Sequence, residues 1–155
     1  IAWKDLSVSA SFNGVHGNQI LNTNIRYNET PSKQANNITK KAFYGMWTAE
    51  NPGNLYPSSL YVIENMVMDR YIEDGSYLRC SDITLSYILP KIWMKAIGIQ
   101  NASISASVRN AFIITDYTGY DPEVNRFAFE GLRPGVDMSS YPNSRSFVFG
   151  LNVTF

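Results

Sequence analysis

The sequence predicts an all-β chain whose antiparallel strands cross an outer membrane as part of a β-barrel. Four segments of roughly ten residues alternate apolar and polar side chains, which is the length and period of a barrel strand. Only 17% of the 155 residues are charged, against roughly 25% in a typical soluble domain, so part of the surface should face something other than water. One connection between the strands is short and two are long, an asymmetry typical of outer-membrane barrels.

The charge balance argues against several partners. Thirteen Lys and Arg residues balance thirteen Asp and Glu residues, so we expect no binding to nucleic acid and no electrostatic attraction to anionic lipid. The first residues lack the features of a signal peptide. No run reaches about 18 consecutive apolar residues, which excludes a transmembrane helix but leaves transmembrane strands open. The single cysteine, Cys80, has no partner for an internal disulfide.

The first predicted strand runs from Ala2 to Phe12, and its side chains divide into two sets. Every second position is apolar, and the positions between carry hydroxyl groups or a carboxylate. The apolar set is Leu6, Val8, Ala10 and Phe12, and the polar set is Asp5, Ser7, Ser9 and Ser11. One face of the strand is therefore expected to contact lipid and the other a water-filled lumen.

The second and third predicted strands repeat this division. The second covers about Leu78 to Leu89, and its alternation loses phase near Arg79 and Cys80, where we expect a β-bulge. The third runs from Asn101 to Phe112 and has a similar serine-rich face, which indicates one shared lumen. The residues predicted to face the lumen are Ser7, Ser9, Thr84, Ser105, Ser107, Arg109 and Asn152, and those predicted to face lipid are Leu6, Val8, Leu85, Ile104, Ala106, Phe149 and Leu151.

The fourth predicted strand is the chain end, Arg145 to Phe155. Its large apolar side chains alternate with other residues and finish on a terminal phenylalanine. We predict that this segment closes the barrel by pairing with the barrel's first strand, which lies outside this chain. The pattern also resembles the C-terminal signal read by the outer-membrane assembly machinery. The residues assigned to closure and assembly are Phe147, Phe149, Leu151, Val153 and Phe155.

The connections differ in length and expected structure. Residues 90–100 form the short connection. Trp93, Met94 and Ile97 lie there at helical spacing, which predicts a short helix that ends at Gly98. Residues 13–76 and 113–144 form two long loops, which we expect outside the cell. Within the first loop, residues 31–49 predict a polar helix with Ile38, Ala42 and either Met46 or Trp47 on one face.

Aromatic residues of the long loops are candidate ligand contacts. An aromatic ring that stacks on a sugar or holds a peptide provides a large contact area with little loss of conformational entropy. The rings that offer this are Trp47, Tyr56, Tyr61, Tyr117 and Tyr120, and we assign ligand binding to Trp47, Tyr56 and Tyr120. The alternative is that these rings pack within the loops or against a partner protein. Trp3, Tyr87 and Trp93 instead predict an aromatic girdle at the membrane surface.

Polar clusters of the loops predict neither catalysis nor a metal site. Asp121, Glu123 and Asp137 would be the ligands if a loop bound calcium, the one cofactor considered. Their spacing fits a turn better, with Asp121 capping backbone amides. The only histidine, His16, has no serine, cysteine or carboxylate at a spacing that makes a catalytic triad. We therefore expect a chain that is not an enzyme and has no cofactor.

The succession of segments resembles the C-terminal end of SusC/RagA-type TonB-dependent transporters in order and spacing. The resemblance covers nearly the whole chain and is weakest between Tyr27 and Tyr44. It rests on KDLSVSASFNGVHGNQILN, WTAENPGNLYP, GSYLRCSDITLSYILP, KAIGI, SVRNAFIITDYTGYDPEV, GVD, SYP and RSFVFGLNVTF.

The resemblance implies a 22-stranded barrel around an N-terminal plug, in the bacterial outer membrane. It implies import of oligosaccharides or peptides, driven by TonB through an N-terminal region outside this chain, and a SusD-like surface lipoprotein as partner. Because four strands cannot close a barrel, outer-membrane lipids and the remaining strands must cover this segment. A passive porin-like channel and a soluble β-sandwich carbohydrate-binding module are the alternatives.

Overall fold

The computed structural model describes residues 1–30, 37–53, 55–58, 68–96, 98–123, 126 and 134–155. The chain divides into two compact units. The sheet unit comprises Ile1–His16, Tyr77–Thr115 and Asn143–Phe155, and the loop unit comprises Gly17–Ser76 and Asp116–Pro142.

In chain order the elements are β1 (Ala2–Trp3), β2 (Leu6–Val15), β3 (Gln19–Asn22), α1 (Thr23–Glu29), α2 (Lys40–Gly45), a 3-10 turn (Asp69–Tyr71), β4 (Ile72–Asp74), β5 (Tyr77–Ile88), α3 (Lys91–Ala96), β6 (Asn101–Thr115), β7 (Val136–Asp137) and β8 (Ser146–Thr154).

The sheet unit is one antiparallel sheet in the order β1-β2-β5-β6-β8. The all-β prediction is confirmed, with one correction to the first strand. The chain reverses after Trp3, so β1 folds back and pairs with the start of β2. Lys4 adopts a left-handed conformation with φ of 51°, which a tight hairpin turn requires. Alternation alone does not show such a reversal, because the apolar and polar positions continue through it.

The register collects the alternating side chains into rows that cross the sheet. Residues paired directly across neighbouring strands point to the same face. The apolar rows are Leu6, Tyr87, Ile104 and Leu151; Val8, Leu85, Ala106 and Phe149; and Ala10, Ile83, Val108 and Phe147. The polar rows are Ser7, Ser86, Ser105 and Gly150; Ser9, Thr84, Ser107 and Val148; and Ser11, Asp82, Arg109 and Ser146. All residues predicted to face lipid therefore share one face, and those predicted to face the lumen share the other.

A bulge in β5 preserves this division beyond the middle of the sheet. Asp82 and Cys80 of β5 each pair with a residue of β2 and a residue of β6, whereas Ser81 between them is left out of both pairings. The skipped residue shifts the phase of β5, so Cys80 lies between Phe12 and Phe112 on the apolar face. These two rings meet edge to face with centroids 6.3 Å apart, and Cys80 is fully buried. The bulge expected near Arg79 and Cys80 is confirmed.

Pairing resumes past the bulge, so two strands are longer than predicted. β2 continues to Val15 and β6 to Thr115, whereas the long loops were expected to begin at Asn13 and Ile113. Val15 and Thr115 both pair with Tyr77, the first residue of β5. The two long connections therefore leave from one end of the sheet.

The outer strands of the sheet have partners on one side only. β8 pairs with β6, and β1 pairs with β2, as the last strands at the two edges of the described sheet. On β8 the side chains of Phe149 and Leu151 are 81% and 70% exposed. An uncovered edge next to an exposed apolar face is stable only if further strands and an apolar solvent complete it.

The short connection contains the predicted helix. α3 ends in a Schellman motif, in which the Ile99 amide donates to the Met94 carbonyl at 3.0 Å and the Gly98 amide to the Lys95 carbonyl at 3.4 Å. Gly98 has φ of 74°, the left-handed conformation that this motif requires. Trp93 is exposed and Met94 is buried, while the side chain of Ile97 lies outside the described residues. No helix in the described part of the chain is long and apolar enough to cross a membrane.

The loop unit has a small mixed sheet in the order β4-β3-β7, in which β3 runs antiparallel to β4 and parallel to β7. The helix predicted over residues 31–49 is much shorter: α2 begins after its N-cap Thr39 and ends at Gly45. Residues 31–36 lie outside the described part. Ala42 and Met46 form a buried cluster with Tyr56, against which Ile38 packs. The predicted apolar residues therefore meet, but they do not share one helical face, because Ile38 and Met46 lie outside α2. Helix α1 was not predicted.

Opposite faces of β6 should respond differently to the same charge. Replacing Ala106 by Arg places a cation in an apolar row, and we expect this to cost about 2 to 4 kcal/mol near the membrane midplane. Ser107→Arg, the neighbouring substitution on the polar face, should cost much less. The measurement is the unfolding free energy of the full-length receptor in lipid bilayers. Equal costs would contradict the assignment of the two faces.

Deleting residues 147–155 should abolish barrel assembly, because it removes β8 and exposes the edge of β6. Phe155→Ala should cost at most about 3 kcal/mol, through lost burial of one side chain. The amount of folded, heat-modifiable protein in outer membranes distinguishes the two variants. A normal amount after the deletion would exclude this strand from closure.

Candidate functional site

Two acidic residues, the half-buried Glu73 and the buried Asp137, hold the long segments of the loop unit together. Glu73 of β4 accepts hydrogen bonds from Asn22 Nδ2 and from the amide and hydroxyl of Thr118, each at 2.8 Å. Asp137 of β7 accepts a hydrogen bond from the Tyr117 hydroxyl at 2.7 Å, and its backbone carbonyl accepts one from Thr23 Oγ1 at 2.7 Å. Both residues therefore join the two long connections, Glu73 through its carboxylate and Asp137 through its backbone carbonyl.

The environment of Tyr117 keeps its hydroxyl protonated. The side chain is buried, and burial raises the pKa of the phenol far above its usual value, reinforced by the hydrogen bond to Asp137 and by the negative charges of Asp137 and Glu73. A protonated Tyr117 donates to Asp137, whereas a phenolate would leave two negative charges in contact. Tyr117, one of the five candidate loop aromatics, thus follows the packing alternative, and Tyr61, another of them, lies outside the described residues.

The three carboxylates considered for calcium are used in other ways. Asp121 is buried, and its Oδ1 accepts the Glu123 amide at 3.0 Å, which confirms the predicted turn. Asp137 is bonded to Tyr117 and, at 3.4 Å, to the Ser140 amide. Within the described ranges, no group of three or more His, Cys, Asp or Glu side chains is placed to hold a metal ion.

Helix α1 lines a groove in the loop unit. Asn22 caps the helix by accepting the Asn24 amide at 3.2 Å. Residues at spacings of three and four lie on one helical face, so Asn24, Tyr27 and Asn28 point the same way. Two cavities of about 340 and 550 Å³ share Asn24, Asn28 and Tyr120 as walls. We call the two cavities together the α1 groove. The larger cavity is also lined by Tyr27, Ser139, Ser140, Tyr141 and Pro142.

The far wall of the α1 groove is tied to the helix. Ser139 adopts a left-handed conformation with φ of 54°, which is unusual for a residue other than glycine. Its amide donates to Asn24 Oδ1 at 2.8 Å. This hydrogen bond fixes the segment that carries Ser140 and Tyr141 next to α1.

The three aromatic residues predicted to bind ligand have different environments. Tyr120 lines both cavities and is 80% exposed. Tyr56 is buried: its hydroxyl donates to Glu29 at 3.0 Å, and the Arg70 guanidinium lies 4.4 Å from the ring centroid. A Cβ on Gly45 would lie 2.7 Å from the same ring. The structure therefore favours the packing alternative for Tyr56. Trp47, 47% exposed, lies beside Tyr56, whose carbonyl accepts its amide at 3.2 Å.

The sequence prediction did not single out five further residues that line the α1 groove, namely Asn24, Tyr27, Asn28, Ser140 and Tyr141. The signal for the first three was present, because an asparagine, a tyrosine and a second asparagine follow the capping residue Asn22 at helical spacing. It becomes visible only once α1 is recognised as a helix. Ser140 and Tyr141 reach the groove through β7 and its pairing with β3, which local sequence does not show.

Comparison with known proteins identifies the family. No family model matches the chain. TonB-dependent receptor P26 of Formosa agariphila is 31% identical over 160 residues, which cover 100% of this chain and 16% of that receptor. The chain belongs to the SusC/RagA family of TonB-dependent receptors. Receptor SusC of Bacteroides thetaiotaomicron is 36% identical over 91 residues, 56% of this chain and 8% of SusC.

Solved structures of the same family share the fold. The RagAB peptide importer in its open-open state superposes with a TM-score of 0.79 at 25% identity, over 99% of this chain and 16% of the RagAB chain. The RagAB peptide transporter superposes with a TM-score of 0.82 at 26% identity, over the same shares. This SusC/RagA-family chain thus spans about one sixth of the length of its relatives. The family consists of outer-membrane receptors and transporters and not of enzymes.

Tyr117→Phe should loosen the loop unit and remove part of its sensitivity to alkali. The loss of the hydrogen bond leaves the buried Asp137 carboxylate with fewer partners, at a cost of roughly 1.5 to 3 kcal/mol. Because the folded-state pKa of Tyr117 is raised, its contribution to stability is complete below the unfolded pKa of 10.0 and is lost as pH rises above that value.

Cleavage of the full-length receptor by proteinase K at pH 9 and pH 11, mapped by mass spectrometry, measures this effect. In the wild type, cleavage within residues 17–76 and 116–142 should increase at pH 11. Tyr117→Phe should be cleaved faster at pH 9 and show a smaller increase. The exposed Tyr44→Phe is the matched control. An identical alkaline increase in Tyr117→Phe and wild type would contradict this role.

Proposed function

We propose that the receptor containing this chain imports oligosaccharides or peptides across the outer membrane, energised by TonB and assisted by a SusD-like surface lipoprotein. The observation that carries this proposal is the superposition of 99% of the chain on the RagAB peptide transporter with a TM-score of 0.82, together with the sequence match to SusC. TonB would act through the N-terminal region of the receptor, which lies outside this chain.

The sheet unit supplies part of the wall of a transport barrel. Its apolar rows contact outer-membrane lipids, and its polar rows face the lumen. On the polar face the hydroxyls of Thr84 and Ser107 are hydrogen-bonded at 2.8 Å, and Thr84 also donates to Asp82 at 2.7 Å. Asp82 pairs in register with Arg109. Hydroxyl and charged side chains suit a wet lumen, because each is solvated by water as well as by its neighbours.

The two long connections form the outer surface of the importer in this proposal. They leave the sheet at the end marked by the row of Val15, Tyr77 and Thr115, and the short α3 connection leaves β5 at the opposite end. Short connections of outer-membrane barrels face the periplasm and long ones face the outside. The loop unit would then meet cargo and the surface lipoprotein first.

A soluble β-sandwich module fits the structure less well. The apolar rows of such a sheet would pack against a second sheet, whereas here the side chain of Phe149 in the central apolar row remains 81% exposed. A passive channel shares the strand pattern with an importer and differs in its energy source, so the decisive test is the requirement for TonB.

Uptake into whole cells should require both TonB and the proton-motive force. Cells carrying the full-length receptor are given labelled neutral oligosaccharides or peptides, with and without a functional TonB and with and without a protonophore. We expect accumulation only in energised cells with TonB. The receptor purified from the same membranes should bring a surface lipoprotein with it. Uptake that persists without TonB would indicate a passive channel instead.

A further inference from the structure

The α1 groove has the chemistry of a carbohydrate site. We propose that it binds a linear neutral oligosaccharide and so selects sugar cargo at the loop unit. This inference rests on the proposed import function and narrows the imported substrate from oligosaccharides or peptides to oligosaccharides.

The shape of the groove suits a chain of sugar rings. The larger cavity, about 550 Å³, lies within the range of roughly 300 to 1,000 Å³ that is usual for small-molecule sites. The smaller cavity adds about 340 Å³. Both share Tyr120, Asn24 and Asn28, so the Tyr120 ring stands where the two meet. Consecutive sugar rings of one oligosaccharide can thus occupy the two cavities.

Three tyrosines give the groove faces on which sugar rings stack. Tyr120 and Tyr141 are 80% and 89% exposed, and Tyr27 is 39% exposed. An exposed aromatic ring offers a flat apolar surface and a hydroxyl at its edge, which matches the apolar face and polar rim of a pyranose. The Arg26 guanidinium lies 5.7 Å from the centroid of Tyr27 and supports that ring.

The two carboxamides that both cavities share, those of Asn24 and Asn28, are neutral and available. Asn24 uses its Oδ1 to hold Ser139, and its Nδ2 makes no hydrogen bond to the described residues. The Asn28 carboxamide makes none to them either, since Asn28 is joined to Thr39 through its backbone carbonyl at 2.8 Å. Carboxamides both donate and accept hydrogen bonds, as ligand hydroxyls require.

The absence of charge in the larger cavity favours a sugar over a peptide. Its described lining contains no Asp, Glu, Lys or Arg side chain. Glu29 in the smaller cavity is already engaged by the Tyr56 hydroxyl at 3.0 Å and by Arg70 at 3.7 Å. A peptide with charged ends or side chains would lose hydration here without gaining an opposite charge. A neutral oligosaccharide has no charged group whose hydration would be lost.

Calorimetry on the purified full-length receptor tests the assignment. The probes are linear oligosaccharides of glucose, mannose, xylose and galactose, with an end-blocked alanine peptide of similar length for comparison. At least one oligosaccharide should bind to the wild type. Tyr120→Ala should weaken its binding by about tenfold or more through loss of stacking, and Asn28→Ala should weaken it through loss of hydrogen bonds. Tyr120→Phe should keep most of the affinity, because it keeps the ring.

Matched controls separate binding from folding. Tyr44→Ala removes a tyrosine that is 73% exposed and lies on α2 outside the lining of both cavities, so it should bind as the wild type does. Heat-modifiable migration confirms that each variant is folded. Absence of oligosaccharide binding by the wild type, or binding that Tyr120→Ala and Asn28→Ala leave unchanged, would overturn the assignment. Peptide binding that depends on Tyr120 would assign the groove to peptides instead.

The outcome is distinguishable from failure of the import proposal. If energised cells accumulate oligosaccharide equally well with wild-type receptor and with Tyr120→Ala, only the groove assignment fails. If the groove binds oligosaccharide but uptake does not depend on TonB, only the import proposal fails.

Discussion

The structure depends on one constraint, which is that backbone N–H and C=O groups placed in hydrocarbon must find partners within the protein. Each unpaired group costs several kcal/mol in lipid, so strands cross a membrane only as part of a closed sheet. In this chain β5 and β6 are paired on both sides, whereas β8 is paired only with β6. The same pairing that satisfies the backbone also sets the register. The register in turn places every apolar row on one face and every hydroxylic row on the other.

The bulge at Ser81 shows how strictly the two faces are kept. A strand has a side-chain period of two, so a single skipped residue exchanges the faces. The skipped residue in β5 brings Cys80 into the apolar row between Phe12 and Phe112, and leaves Asp82 in the row of Arg109. The charged residue thus stays on the polar face, and the pairing continues up to the row from which the long connections leave.

The loop unit is stabilised by different means from the sheet unit. Its strands are short, and much of its order comes from buried polar contacts, with Asp137 only 1% exposed and bonded to Tyr117 at 2.7 Å. A buried hydrogen-bonded network is costly to leave half satisfied, so it specifies one arrangement of two segments far apart in sequence. That arrangement places α1 beside the segment of Ser139 and Tyr141 and so forms the groove. The larger cavity of this groove is lined by aromatic and neutral polar side chains among the described residues.

The sequence by itself determined the strands, their faces and the family, because barrel strands alternate with a period of two and each covers a membrane in about ten residues. Local patterns also revealed the bulge, the α3 helix and the turn at Asp121, each of which depends on neighbours in the chain. The hairpin reversal at Lys4 is local but does not interrupt the alternation, whereas the burial of Tyr56 and the α1 groove were decided by tertiary structure alone. Tyr56 and Tyr120 look equivalent in sequence, yet Glu29 and Arg70 enclose the first, while the second stands exposed between two cavities. Contacts between residues so far apart in the chain leave no periodic signal, so only the folded structure assigns each ring its role.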